Sequence, residues 1–278
     1  MFLVTGANGQ LGNELRLRLG ERARYVDRDE LDITDAEAVQ AFVKGRSFDA
    51  IINCAAYTAV DKAESDADLA EKINVQGPEN LAKTGIPLIH ISTDYVFDGT
   101  ACVPYTEDVR PNPNSVYGRT KLAGEQAVAK YASAAVIIRT AWLYSCFGNN
   151  FVKTMRRLGA ERESLNVVFD QTGTPTYAGD LAAAIVAVLE KMPQQGCEVY
   201  HFSNEGVCSW YDFALEIMKL SGLKCRVSPI ESKDYPTPAK RPSYSVLNKG
   251  KIKERFGIAN RHWSEALAEC IEKMKAEK

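Results

Sequence analysis

The first twelve residues, MFLVTGANGQLG, constrain this chain more than any other stretch. A short apolar run, Phe2-Leu3-Val4, ends at Thr5-Gly6, and Leu11, Leu15 and Leu19 then recur at helical spacing. The pattern reads as strand, tight turn and helix. Gly6, Gly9 and Gly12 stand at G-x-x-G-x-x-G spacing, a variant of the dinucleotide fingerprint. Glycine opens backbone angles closed to other residues, and a missing Cβ lets the loop approach a pyrophosphate whose charge the helix N-terminus stabilises. An ordinary strand-to-helix turn can carry the same glycines, but the position directly after an apolar strand supplies the context the motif requires.

Composition excludes several classes. With 278 residues, 45% of them hydrophobic, the chain can bury a large core and suits one enlarged domain or two of unequal size. A net charge of −2 without a basic run gives no footprint for nucleic acid or an anionic membrane. No stretch reaches the length of a membrane span, and a strand starting at Phe2 leaves no room for a signal peptide, so the expected compartment is the cytoplasm. The seven cysteines are scattered without a C-x-x-C pair and read as reduced thiols. His90, His201 and His262 are not at metal-ligand spacing, and His90, inside an apolar strand, reads as a core histidine.

Along the chain, 24–27 reads as a second strand ending in Asp27, where an acidic residue accepts hydrogen bonds from an adenosine ribose. Arg28 follows at once, and its guanidinium could hold a 2′-phosphate instead. The neighbours give opposite signals for NADH and NADPH. Thr34 or Asp35 is placed to cap a helix through Val39 and Phe42, and 49–56 reads as a strand buried on both faces and ending in small residues. A long helix is expected over about 66–83, a strand over 87–93, a helix opening near Ser115, and a strand over 136–144. Three prolines in 235–242 impose an extended loop. Tyr117 and Lys121, four apart, share one helix face, where the ammonium would favour the phenolate and lower the tyrosine pKa. The Thr93 hydroxyl, at a strand end, could bond the same substrate oxygen.

Glycine turn, strand-end Ser/Thr and Y-x-x-x-K, in that order, resemble the short-chain dehydrogenase/reductases in their extended branch. Within it, ISTDYVFDG (91–99), YGRTKLAGE (117–125), RTAWLY (139–144), GNNF (148–151), DQTGTPT (170–176) and YPTPAKRP (235–242) resemble the dTDP-4-dehydrorhamnose reductase family over essentially the whole chain. The resemblance implies an α/β fold, a Rossmann-type doubly wound parallel sheet with a smaller C-terminal substrate-binding subdomain. Its division would be 1–148 for the dinucleotide, with a return around 173–203, and 149–172 with 204–278 for the substrate. It implies reduction of a dTDP-linked 4-keto sugar by NADPH or NADH, with Tyr117 as proton donor, Lys121 on the nicotinamide ribose and Thr93 orienting the keto oxygen. Gly6, Gly9, Gln10, Leu11, Gly12, Asp27, Asp32, Ile33, Ala55, Ala56, Tyr57 and Ile91 would follow the cofactor. Thr93, Asp94 and Trp142 would meet the sugar nucleotide, and Arg241 its pyrophosphate. Trp142 could equally be core, and Arg241 a loop residue paired with a surface carboxylate.

Departures from related families sharpen the expectation. Sugar-nucleotide dehydratases carry Asp-Glu after the threonine, whereas here Asp94 precedes Tyr95, which argues for reduction rather than elimination. Epimerising relatives use an added cysteine-histidine pair; Cys102 and Cys146 are present, with no histidine evidently placed beside them. Some family members dimerise around magnesium, and Glu14 matches one such ligand position, though a solvated first-helix residue is the simpler reading. Magnesium, and the choice between monomer and homodimer, stay open. A non-catalytic NADP-binding regulatory subunit of the methionine adenosyltransferase type, and a reductase of another nucleotide-linked keto sugar, are the alternatives.

Overall fold

A computed structural model of the chain describes residues 1–276. Its framework is an all-parallel sheet of β1 (Phe2–Thr5), β2 (Ala23–Val26), β3 (Ala50–Asn53), β4 (Leu88–Thr93), β5 (Ala134–Thr140) and a final strand, Gly196–His201. The spatial order is β2-β1-β3-β4-β5 and then the final strand, so β1 lies between β2 and β3. The chain therefore winds one way and then reverses, which opens a crevice at the C-terminal ends of β1 and β3.

Alternation along these strands builds two cores. Val4, Ile52, Ile89, Val136 and Ile138 pack on one face with Leu11, Leu15 and Leu19 of α1 (Gln10–Leu19) and with Leu181, Ile185 and Val188 of helix Ala178–Leu189. Leu3, Ile51, Leu88, Ala135 and Ile137 take the other face with Val39 of α2 (Ala36–Val43), Leu81, and Val128 of helix Val116–Tyr131. Every residue of β3 and β5 is buried, as expected for parallel strands covered on both sides. Caps fix the helix starts: Asp35 accepts from the amides of Glu37 and Ala38, Ser115 from Gly118, and Asn150 from Lys153.

Two expected elements differ. The single helix over 66–83 is interrupted by a π-helical turn, Lys72–Gln76, between Ala67–Glu71 and Gly77–Ala82. At that turn the buried Asn74 side chain accepts from the Tyr57 amide at 2.9 Å and donates to the Tyr57 carbonyl and the Thr120 hydroxyl, both at 3.1 Å. The widened turn thus pins the segment after β3 to the helix that carries Tyr117. The strand expected over 136–144 breaks at Trp142, whose φ of 48° is left-handed, and resumes as Leu143–Tyr144 beside Thr176–Tyr177.

The C-terminal side has its own core. Helices Phe151–Glu161, Trp210–Ser221 and Trp263–Ala276 bring together Val152, Met155, Phe213, Ile217, Trp263 and Leu267. Ser164–Val168 pairs in parallel with Arg226–Ile230, and Thr172–Gly173 pairs antiparallel with Cys208–Ser209.

Asn74→Ala removes a side chain on which buried groups of two other segments depend, so it should lower the unfolding free energy by about 2–4 kcal/mol. Urea denaturation followed by circular dichroism measures this; an unchanged midpoint would contradict the clamp.

Candidate active site

The glycine turn is shaped by close approach. Gly6 has φ 65°, and a Cβ there would lie 2.5 Å from the Ala55 amide nitrogen, so β1 and β3 can meet at this level only without a side chain. Gly9 caps α1 with no side-chain bond, and the first helical turn holds no acidic residue, leaving amide donors and a positive helix end for an anion. A cleft of about 460 Å³ opens here, and Gly6, Gly9, Asp27, Arg28, Asp32, Ile33, Ala55 and Ala56 line it. These residues fit an extended dinucleotide.

At the far end of the cleft, Asp27 accepts from the amides of Asn8 at 2.9 Å and Arg28 at 2.8 Å. Arg28 is exposed, with Nε 3.8 Å from Asp32. Hydrogen bonds from Thr34 hold the Asp32 carboxyl below its usual range. Lys72 also lines the cleft and adds to that lowering, a cation that the sequence pattern did not single out.

The other expected cofactor positions fall outside this lining. Leu11 is core and Gly12 packs against Ala7, so only backbone near them could face a ligand. The Gln10 side chain accepts from Asn150 at 3.0 Å. Tyr57 is held by Asn74 and packs in one cluster with Tyr117. The Ile91 carbonyl accepts from Lys121 Nζ at 2.7 Å.

Thr93, Tyr117 and Lys121 do converge. Thr93 ends β4, Tyr117 and Lys121 lie on one face of helix Val116–Tyr131, and the Thr93 hydroxyl, which donates to Asp94 Oδ1 at 3.0 Å, also acts on Tyr117. All three are buried. The expected lowering of the tyrosine by the lysine is not what this geometry gives. Burial is the largest influence on Tyr117 and raises its hydroxyl, opposed by Thr93 and reinforced by the nearby Asp94 charge. Lys121 is bound to the Ile91 carbonyl, and burial brings its ammonium down to about 8. Asp94 is likewise moved up to about 6 by burial, against hydrogen bonds from Ser245 and Thr93. Sequence gave no sign of Ser245, which arrives from far along the chain. His90 is buried and hydrogen-bonded to Asn53 at 3.1 Å, a core histidine as expected.

The proline-rich loop reaches this cluster. Arg241 Nη2 pairs with Asp61 at 2.6 Å and Nη1 donates to the Tyr95 hydroxyl at 3.0 Å, while the Tyr95 ring stands edge-on to Tyr117 at 5.4 Å. Arg241 therefore has its carboxylate, and it also lines a second cleft of about 660 Å³ with Gln171, Trp210 and Tyr235. Trp142 stacks on Trp210 with centroids 3.6 Å apart, which puts it against that cleft's wall and against the C-terminal core together. Neither Asp61 nor Tyr95 carried a signal as an arginine partner in the sequence; only the fold joins them.

Glu14 corrects an expectation. It is buried, not solvated, and accepts from the Ser145 hydroxyl at 2.6 Å. Among the described residues no group of three or more His, Cys, Asp or Glu is arranged to hold a metal ion, and magnesium is not supported. Cys102 lies exposed, and Cys146 is buried with its sulfur 3.7 Å from that of Cys270.

Known proteins resemble this chain over almost its whole length. The family model described as the RmlD substrate binding domain matches residues 1–276. A dTDP-4-dehydrorhamnose reductase of Aggregatibacter actinomycetemcomitans is 41% identical, covering 96% of this chain and 96% of its own. The crystal structure of a dTDP-4-dehydrorhamnose reductase from Clostridium acetobutylicum superposes with a TM-score of 0.94 at 45% identity, covering 99% of each chain. One from Bacillus anthracis, solved in complex with NADP, gives 0.93 at 40% identity and covers 98% of each. The chain belongs to the dTDP-4-dehydrorhamnose reductase family of the extended short-chain dehydrogenase/reductases.

Proposed function

We propose that this chain reduces the 4-keto group of dTDP-4-dehydro-L-rhamnose to give dTDP-L-rhamnose, using NADPH or NADH. The convergence of Thr93, Tyr117 and Lys121 at the ends of the central strands carries the reading. The solved NADP complex of the Bacillus anthracis relative supports the cofactor class. Gly6, Gly9 and the N-terminus of α1 would hold the pyrophosphate, with Asp27 and Arg28 at the adenosine ribose, Asp32 at the adenine edge and Lys121 at the nicotinamide ribose. Bound there, the reduced nicotinamide supplies hydride for the sugar C4. Thr93 orients the keto oxygen, and Tyr117, kept protonated by burial, delivers the proton to that oxygen. Asp94, Trp142 and Arg241 are assigned to the sugar nucleotide, Arg241 offering its planar fork to the diphosphate.

The domain division belongs to the same proposal, with 1–148 and about 173–203 serving the cofactor and 149–172 with 204–278 mainly the substrate. So does a cytoplasmic location, where nucleotide sugar and reduced cofactor are both found. No helix among the described residues is long and apolar enough to cross a membrane.

The decisive assay follows NADPH and NADH absorbance with dTDP-4-dehydro-L-rhamnose, beside a control lacking the sugar. Sugar-dependent oxidation is expected, and the ratio of the two rates reads out the balance between Asp27 and Arg28. Tight cofactor binding without oxidation would overturn the reading in favour of another keto sugar or a regulatory role. Tyr117→Phe should lower kcat by about 10²–10⁴-fold with cofactor affinity nearly intact; retention of most activity refutes the donor role. Lys121 is charged below about 8, so kcat/KM should fall as pH rises through that value. Lys121→Met should abolish this limb and weaken cofactor binding, and unchanged affinity in that variant would contradict its ribose role.

A further inference from the structure

One turn beyond Lys121 on the same helix face lies Glu125, buried and outside both clefts. Its carboxylate accepts from the Ser92 hydroxyl and from Arg139, with Nε at 2.9 Å and Nη2 at 2.7 Å. Ser92 lies on β4 between Ile91, whose carbonyl receives Lys121, and Thr93. Arg139 lies on β5 directly opposite Ser92 in the register, as Thr140 lies opposite Thr93. Ser92, Glu125 and Arg139 thus join helix, β4 and β5 at the level where the reactive side chains meet.

We propose that Glu125 is a positioning residue for the reduction: through Ser92 and Arg139 it fixes the Tyr117–Lys121 face of its helix against β4, and it serves as the counter-charge to the buried Lys121 ammonium. The inference rests on the proposed role of Lys121 at the cofactor. The other groups around the lysine do not supply that charge. From the end of β3, the Cys54 thiol is pushed up to about 12 and stays protonated. From β4, burial and the Lys121 charge hold His90 well below its ordinary value, hence neutral. Tyr117 on the same helix stays protonated, and Asp94 beyond β4 acts on Tyr117. Arg139 is a cation, and it is paired with Glu125. Glu125 opposes the loss of the Lys121 proton that burial drives.

The test is the pH dependence of NADPH binding, read by fluorescence titration from pH 6 to 10, on the native protein, on Glu125→Gln and on Glu125→Gln/Arg139→Met. The single variant keeps a hydrogen-bonding side chain but strands the arginine charge; the double variant removes both charges of the pair and guards against a folding defect. Circular dichroism and thermal unfolding identify the folded variants. The native affinity should weaken as pH rises through about 8. In folded Glu125→Gln that weakening should begin about one unit lower, so binding is about fivefold weaker than native at pH 8 and within about twofold at pH 6; the double variant, which loses the Arg139 cation as well, should shift in the same direction by less. A folded variant whose curve superimposes on the native one overturns the proposal and leaves the reductase reading standing. A native protein that binds no NADPH at any pH overturns both.

Discussion

Everything at the site depends on two strand ends coming closer than side chains allow. The turn after β1 presses its backbone onto the end of β3, and Gly6 makes that contact possible both by its left-handed φ and by what it lacks. From there α1 leaves with its first amides unspent, while the small residues after Asn53 leave the crevice open. A phosphate site is therefore built from backbone, and a chain with net charge −2 has no need of a basic patch.

Burial sets the chemistry of the reactive residues more than their mutual charges do. Tyr117 is pushed toward its protonated form and Lys121 toward its neutral one, both by removal from water. A protonated phenol is the state a reductase needs in order to donate. The lysine has the opposite requirement, which is why an anion one turn away matters.

Much of this was legible in the sequence because it is local or periodic. The glycine turn, a helix start at Thr34 or Asp35 and another near Ser115, the two-sided burial of β3, and the helical pairing of Tyr117 with Lys121 follow from pattern and spacing. What escaped is long-range. Asn74 sits in a stretch with ordinary helical periodicity, and its π turn answers to Tyr57 and Thr120. Arg241 finds Asp61 and Tyr95 only through the fold. The sign of the Tyr117 shift escaped because spacing shows which charges are neighbours but not how much water is lost. Glu14, placed in a helix with arginines on its other faces, looked solvated, and its burial depends on Ser145 from another segment.

The order of strands has a consequence for how the chain is made. β5 is seven residues of unbroken burial, yet its outer neighbour pairs Gly196 with Ala134 and is synthesised only after the first helix and strand of the C-terminal side. Until His201 has emerged from the ribosome, the open edge of Val136, Ile137 and Ile138 is an apolar template for any other extended chain. The stretch between is short of partners as well, since Ser164–Val168 waits for Arg226–Ile230. The pairings on that side therefore join segments far apart in the sequence and can close only after the later strand of each pair has been made.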